Sequence, residues 1–315
     1  MLIYALFDRL GRKEELYKYL DIVAIGTVAD IVPLLEENRI FTKFGMERLN
    51  KSNWLGINML IKKLFEDYQV KKFNTYDIGF IIAPIFNAAG RLEDAKRAVE
   101  LFIEKDHRVC TQIINELLNN NSERKEIQEM ILERAIFKIE TEKLFENSVL
   151  VVAEEGFHHG VIGIVASKIL DRYYKPTIIM EIKPEEGIAT ASCRSIEGFN
   201  LIEALNSMKE LFVKYGGHAG AAGLSIKIED IEEFSKRINE YAKKNIPESS
   251  LIKPVKLDIT IPAYKISYDF IDKISLLEPF GFGNPAPLFA LNNCEISGVR
   301  AIGKEKNHTM FNIKK

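Results

Sequence analysis

The residues best suited to chemistry lie in short glycine-flanked segments, the densest being Gly216-Gly217-His218-Ala219-Gly220-Ala221-Ala222-Gly223. Glycine accepts positive φ and close approach, so successive N–H groups there could form an anion-binding nest. Gly216, Gly217 and His218 are therefore expected to bind and position a phosphate. The spacing is not that of a P-loop. In Ser192-Cys193-Arg194-Ser195, Ser192 and Ser195 flank the guanidinium of Arg194, a compact phosphate clamp. A serine nucleophile fits less well, because no histidine base lies in a local motif. Asn87-Ala88-Ala89-Gly90-Arg91 is polar at both ends and small between. Arg91 could take a phosphate bidentately, or equally pair with Glu93 or Asp94. His158 and His159 precede Gly160, where a helix start offers N–H groups to an anion. Two adjacent histidines chelate one metal poorly, so ligand or phosphate contact is preferred for His158. Asp30 ends Gly26-Thr27-Val28-Ala29-Asp30, a place suited to a hard cation such as Mg2+ or Mn2+. One carboxylate cannot hold such an ion alone.

These residues need elements to position them. Leu20 to Gly26 is a short apolar run suited to a buried parallel strand, which would put Asp30 just beyond a strand end. Helical patterns dominate from there to about residue 145, the longest from about Glu93 to Glu142 as two helices. In its second half Ile113, Ile114, Leu117, Leu118, Ile127, Met130 and Ile131 keep a helical period. Asn121 and Arg124 interrupt that stripe, as a locally exposed or hydrogen-bonded turn or as a face turned toward a polar site. From Asn147 strands and helices alternate: strands at 148–153, 177–182, 187–192 and 224–226, helices at 160–173, near Leu201 and at 228–243. That alternation predicts an α/β domain. Gly160, Gly163 and Ala166 recur every third residue, so their helix can pack closely on another backbone. After a linker at 245–250 come strand-like pieces, first Val255 to Ile261. Leu277 to Pro287, dense in Pro, Gly and Phe, is expected to be a rigid interdomain turn with packed Phe rings in preference to exposed phenylalanines that stack on bases.

Composition narrows the setting. At 315 residues with 47 % apolar and 28 % charged content, the chain is long enough for more than one domain with real cores. A formal net charge of −2 means that any nucleic-acid binding must use a local groove rather than an overall basic field. No run is long enough to span a membrane and no signal peptide is evident. The three cysteines, Cys110, Cys193 and Cys294, form no C-x-x-C pair, which fits a reducing cytoplasm better than a disulfide framework.

Taken in order, Leu20–Leu34, Asn87–Leu92, Gly156–Ala166, Ser192–Ser195, Gly216–Gly223 and Leu276–Phe289 closely resemble the RecJ branch of the DHH phosphoesterase superfamily. The resemblance implies an α/β fold: the C-terminal part of a DHH domain (1–110), a connecting helix (111–146), a DHH-associated substrate-binding domain (147–246) and the start of a β-rich OB-like domain (251–315). It implies a 5′→3′ single-stranded-DNA exonuclease of repair and recombination, hydrolysing phosphodiesters with Mn2+ or Mg2+. A single-strand-binding protein or a helicase would be a partner. By the match Asp30 resembles a catalytic metal ligand, and Arg91, Ser192, Arg194 and His218 resemble substrate contacts. Arg124, in an Asn-x-x-Arg arrangement with Asn121, resembles the family's cleft-facing helix. The chain departs from the pattern in carrying neither an Asp-x-Asp nor an Asp-His-His signature, and in having Ile85 and Cys193 where arginine and glycine are common. On this resemblance it looks like a family member shortened at both ends and inactive as a nuclease alone. The alternative is a catalytically inactive single-strand-binding or scaffold fragment.

Overall fold

The computed structural model describes residues 2–65, 72–92, 95–303 and 306–314. The chain forms two compact units, Met1–Pro84 with Val255–Lys315, and Ile85–Pro254.

The first unit opens with helices α1 (Leu2–Arg9), α2 (Leu20–Ala29), α3 (Glu36–Arg48) and α4 (Leu55–Leu64), then a π-helical stretch at Asp77–Ile82. The expected strand at Leu20–Gly26 is instead most of α2. A short apolar run does not distinguish a buried strand from a buried helix. Here the decision lies with α3: a Cβ on Gly45 would fall 2.1 Å from the Leu20 carbonyl oxygen and 2.5 Å from Ala24 Cβ. The two helices therefore meet at backbone contact, and Asp21, Ala24 and Ile25 are buried in α2 at helical spacing. The helix ends at Asp30, Ile31 takes φ 54°, and Pro33 disfavours a helical residue before it.

α5 (Ala83–Leu92) carries the Asn87–Arg91 segment. In the second unit follow α6 (Lys96–Ile103), the 35-residue α7 (His107–Thr141), β1 (Leu150–Glu155), α8 (His159–Tyr173), β2 (Thr177–Lys183), β3 (Ile188–Arg194), α9 (Leu201–Asn206), β4 (Phe212–Gly217), β5 (Ala221–Lys227) and α10 (Ile231–Asn245). The two helices expected from about Glu93 to Glu142 are α6 and α7; Glu93 and Asp94 themselves, and the pairing with Arg91 considered for them, lie outside the described residues. The five strands form one sheet in the order β1-β2-β3-β5-β4, with β1 and β2 parallel and the other pairs antiparallel.

Strand periodicity sorts this sheet into two cores. Ile178, Met180, Ala189, Ala191, Cys193, Ala222, Leu224 and Ile226 pack with Phe234 and Ile238 of α10 on one face. Leu150, Val152 and Ile179 pack with α8 and with Ile131, Ala135 and Ile139 of α7 on the other. The alternation on β3 that sends Cys193 into the first core turns Ser192 and Arg194 toward the α8 face.

In the first unit β6 (Ile259–Thr260), α11 (Tyr268–Ser275), β7 (Phe289–Ala290), β8 (Glu295–Ile302) and β9 (His308–Lys314) follow, and short 3-10 turns join several of the elements. The strand expected over Val255–Ile261 is confined to β6, paired in parallel with β7. Just before it, the Asp258 N–H donates to the Leu288 carbonyl (2.9 Å) and the Asp258 carboxylate accepts from the Leu288 N–H (2.8 Å), so a side chain completes the pairing there. The Phe280–Gly283 turn belongs to one unit rather than linking two: the Leu34 N–H donates to the Phe282 carbonyl (2.7 Å) and the Thr75 hydroxyl to that of Phe280 (2.5 Å).

Candidate phosphate-binding site

On the α8 face of the second unit a cleft of about 580 Å3 is lined by Arg91, His158, Gly163, Ser192, Arg194 and Gly223, among others. Each arrives by a local rule. Ser192 and Arg194 are two residues apart on β3 and share a face. Gly223 stands opposite Ser192 on β5 and, having no side chain, leaves the floor open. Arg91 comes from the last turn of α5, and His158 is the N-cap of α8.

The expected close packing of the α8 glycines is what shapes the cleft. A Cβ on Gly160 would fall 2.3 Å from the Arg91 carbonyl oxygen. One on Gly163 would fall 3.0 Å from Ser192 Oγ and 3.1 Å from Arg194 Nη2. The Arg91 Nη1 donates to the Gly160 carbonyl (2.9 Å), and Arg194 Nη1 donates to Ser192 Oγ (3.1 Å) and the Cys193 carbonyl (2.9 Å).

The electrostatics are one-sided. Among the described residues no carboxylate pairs with Arg91, Arg124 or Arg194, whereas Arg97, Arg134 and Arg237 of the same unit pair with Glu116, Glu154 and Glu210. Burial, and then the like charge of Arg91, holds the Arg124 guanidinium below its ordinary pKa. Burial is likewise the main influence lowering that of Arg194, with Arg91 adding to it. Arg91 repels both Arg124 and Arg194, and cations that no described carboxylate neutralises can accept an anion, for which guanidinium has the matching geometry.

Arg124, on α7, does not line the cleft but is near enough to Arg91 for their like charges to interact. The buried stripe of α7 runs Cys110, Ile113, Leu117, Asn121, Arg124, Gln128, Ile131, Ala135 and Ile139. Asn121 and Arg124 are thus buried and hydrogen-bonded rather than a locally exposed turn. Gln128 continues the polar interruption one helical turn beyond Arg124, a spacing already legible in the sequence.

Other expected residues stand elsewhere. Asn87 is exposed on α5, one helical turn before Arg91. The Ser195 hydroxyl is committed to the Phe199 carbonyl (2.7 Å). The glycine-rich segment is a β-hairpin rather than an open nest. Gly216 pairs with Gly223 and Gly217 with Ala222, while the His218 N–H donates to the Ala221 carbonyl (2.8 Å) and the Gly220 N–H to His218 Nδ1 (3.2 Å). Only Gly217 of the two leading glycines has a positive φ, +150°. The same economy holds at α8. The Gly160 N–H is capped by His158 Nδ1 (3.1 Å), which leaves His158 Nε2 as the nitrogen able to donate into the cleft. Positive charge here comes from side chains more than from free backbone N–H groups.

Asp30, in the first unit, is exposed and caps the C-terminal end of α2. Among the described residues no group of three or more His, Cys, Asp or Glu is placed to hold a metal ion, so Asp30 does not make up a metal centre with them. A second cleft, about 680 Å3 and also in the first unit, is lined by Lys43, Lys72 and Asn74 among others; its Lys72 is paired with Glu278 (3.2 Å). No described helix is long and apolar enough to cross a membrane.

Burial raises the Cys193 thiol to about 12. A raised pKa in the folded state means the stability it contributes is complete below the ordinary thiol value of about 8.5 and is lost as pH rises toward the folded value. Iodoacetamide at pH 8 is expected to label the partly exposed Cys294 in the native protein and spare Cys193, with both labelled in urea. Peptide mass spectrometry reads this directly, and native labelling of Cys193 would contradict its burial.

Residues 146–244 match the DHHA1 domain and residues 257–315 the RecJ OB domain. The chain is 38 % identical over 295 residues to the single-stranded-DNA-specific exonuclease RecJ of Bacillus subtilis, covering 94 % of this chain and 37 % of that protein. A crystal structure of RecJ in complex with Mg2+ from Thermus thermophilus matches with a TM-score of 0.84 at 31 % identity, over 99 % of this chain and 47 % of that one. The RecJ structure with Mn2+ from the same organism matches equally, at 0.84 and 31 %, over 99 % and 45 %. The chain therefore spans less than half the length of these relatives.

Proposed function

The chain belongs to the RecJ family, and from that premise we propose that its second unit is the substrate-holding part of a 5′→3′ single-stranded-DNA exonuclease. The observation that carries this is the cleft of Arg91, Ser192 and Arg194, cationic and without a carboxylate partner among the described residues. Single strands present a repeating anion and little else that is common to every sequence, so such a cleft holds them by phosphate. Arg91 and Arg194 neutralise and align the phosphate, Ser192 fixes Arg194, and His158 Nε2 donates from the side. On the same reading 1–110 is DHH-derived, 111–146 connects, 147–246 holds substrate and 251–315 is the OB-like domain. The cellular role is repair and recombination in the cytoplasm, with a single-strand-binding protein or a helicase as partner. The divalent cation is Mn2+ or Mg2+, with Asp30 as one carboxylate toward it. Because the described residues add no further cluster, hydrolysis is not assigned to them.

That ligand count favours a second reading for the 315-residue chain by itself: binding without turnover. A fluorescent 5′-phosphorylated oligothymidylate is expected to bind in a salt-sensitive way and to remain intact when Mn2+ is added. Absence of binding would overturn the substrate-holding role. Release of mononucleotides by the pure chain would overturn binding without turnover.

A further inference from the structure

We propose that Asn121, aided by Gln128, is a positioning residue that holds Arg124 as a third, buried cation near Arg91 of the phosphate cleft without cancelling its charge. The proposal rests on the phosphate reading of Arg91 and Arg194. Three successive positions of a buried helical stripe, where apolar side chains would normally pack, are given to Asn121, Arg124 and Gln128, each 7–8 % exposed. Arg124 Nε and Nη2 both donate to Asn121 Oδ1 (3.3 and 3.1 Å), and Nη1 donates to Gln128 Oε1 (3.0 Å).

A buried guanidinium is ordinarily matched by a carboxylate, because an uncompensated buried charge is costly. α7 has carboxylates nearby in sequence, at Glu123, Glu126 and Glu129, and none of them pairs with Arg124. An amide oxygen accepts the same hydrogen bonds but carries no net charge. Three of the five guanidinium N–H groups are thereby fixed in direction while the full positive charge remains for an anion to meet. Asn121 and Gln128 act through Arg124 and need not touch the strand. This assigns a positioning part to amides that would otherwise pass as packing.

Three variants of the 315-residue chain, titrated with the same 5′-phosphorylated oligothymidylate at several KCl concentrations, test this. Arg194→Ala probes the phosphate reading alone. Asn121→Asp sets a carboxylate where the amide accepted two bonds, and Gln128→Glu does so from the other side should Asn121→Asp fold poorly. The expected result is weaker binding with a slope of log K against log [KCl] that is shallower by roughly 0.7 per cancelled charge. The urea midpoint should hold or rise, since the buried charge is now paired. If Arg194→Ala weakens binding while both carboxylate variants keep the parent affinity and slope, the amides are structural and the proposal falls. A loss of affinity at unchanged slope also overturns it, as a packing defect. If Arg194→Ala binds like the parent, it is the phosphate reading that has failed.

Discussion

Replacing Arg194 with alanine is expected to weaken binding of a 5′-phosphorylated single strand by about 10- to 100-fold. Hydrogen bonds to charged groups contribute about 1.5–3 kcal/mol, and each 1.4 kcal/mol is a factor of ten. The upper part of that range applies if a bidentate contact is lost. The fold should survive, because the side chain leaves β3 on the α8 face and the core contact of this strand end is made by Cys193 on the other. Its two hydrogen-bond partners, Ser192 Oγ and the Cys193 carbonyl, can turn to water in the opened cleft. Arg194→Lys should recover only part of the loss, since lysine restores the charge without the planar fork. Fluorescence anisotropy at fixed salt measures all three proteins. Parent-like affinity for Arg194→Ala would remove the cleft from the binding surface.

Gly160→Ala should damage both stability and binding, against the usual preference of helices for alanine. In an open helical position the exchange stabilises by up to about 1 kcal/mol. At Gly160 the new methyl would lie 2.3 Å from the Arg91 carbonyl oxygen and 3.2 Å from its carbonyl carbon, so backbone must move. Overpacking of this kind costs about 1–3 kcal/mol, enough to reverse the sign. The displaced backbone is that of Arg91 itself, whose Nη1 donates back to the Gly160 carbonyl, so a cationic wall of the cleft shifts with it. Gly26→Ala is the matched control: Gly26 lies in α2 with nothing within 4 Å of a new Cβ. Urea midpoints should fall for Gly160→Ala and hold or rise for Gly26→Ala. Equal midpoints for the two would mean that α8 and α5 do not meet as closely as described.

Both predictions start from residues that were visible as segments and became a site only through packing. Arg91, His158, Ser192 and Arg194 stood out by type and by neighbouring glycines, and the order of their segments carried the family. Chain order, however, does not say which faces meet. The glycine-rich segment shows the difference. Its composition suited an open nest, but the pairing of β4 with β5 made it a hairpin whose His218 and Gly220 N–H groups are used within the turn. Asp30 shows another: the apolar run before it satisfied a strand or a buried helix equally, and the close approach of Gly45 in α3 decided for the helix.

By itself the sequence determined what depends on local pattern: the alternating strands and helices after residue 147, the long α7, the packing glycines of α8 and the residue types able to meet a phosphate. These follow from periodicity and side-chain chemistry, which act over a few residues. Only the tertiary structure decided which cations go without a carboxylate. Arg134 and Arg124 both lie on α7 among glutamates in sequence, yet Arg134 pairs with Glu154 on β1 and Arg124 is held by amides. Charge compensation depends on distances across elements, and no spacing along the chain encodes them.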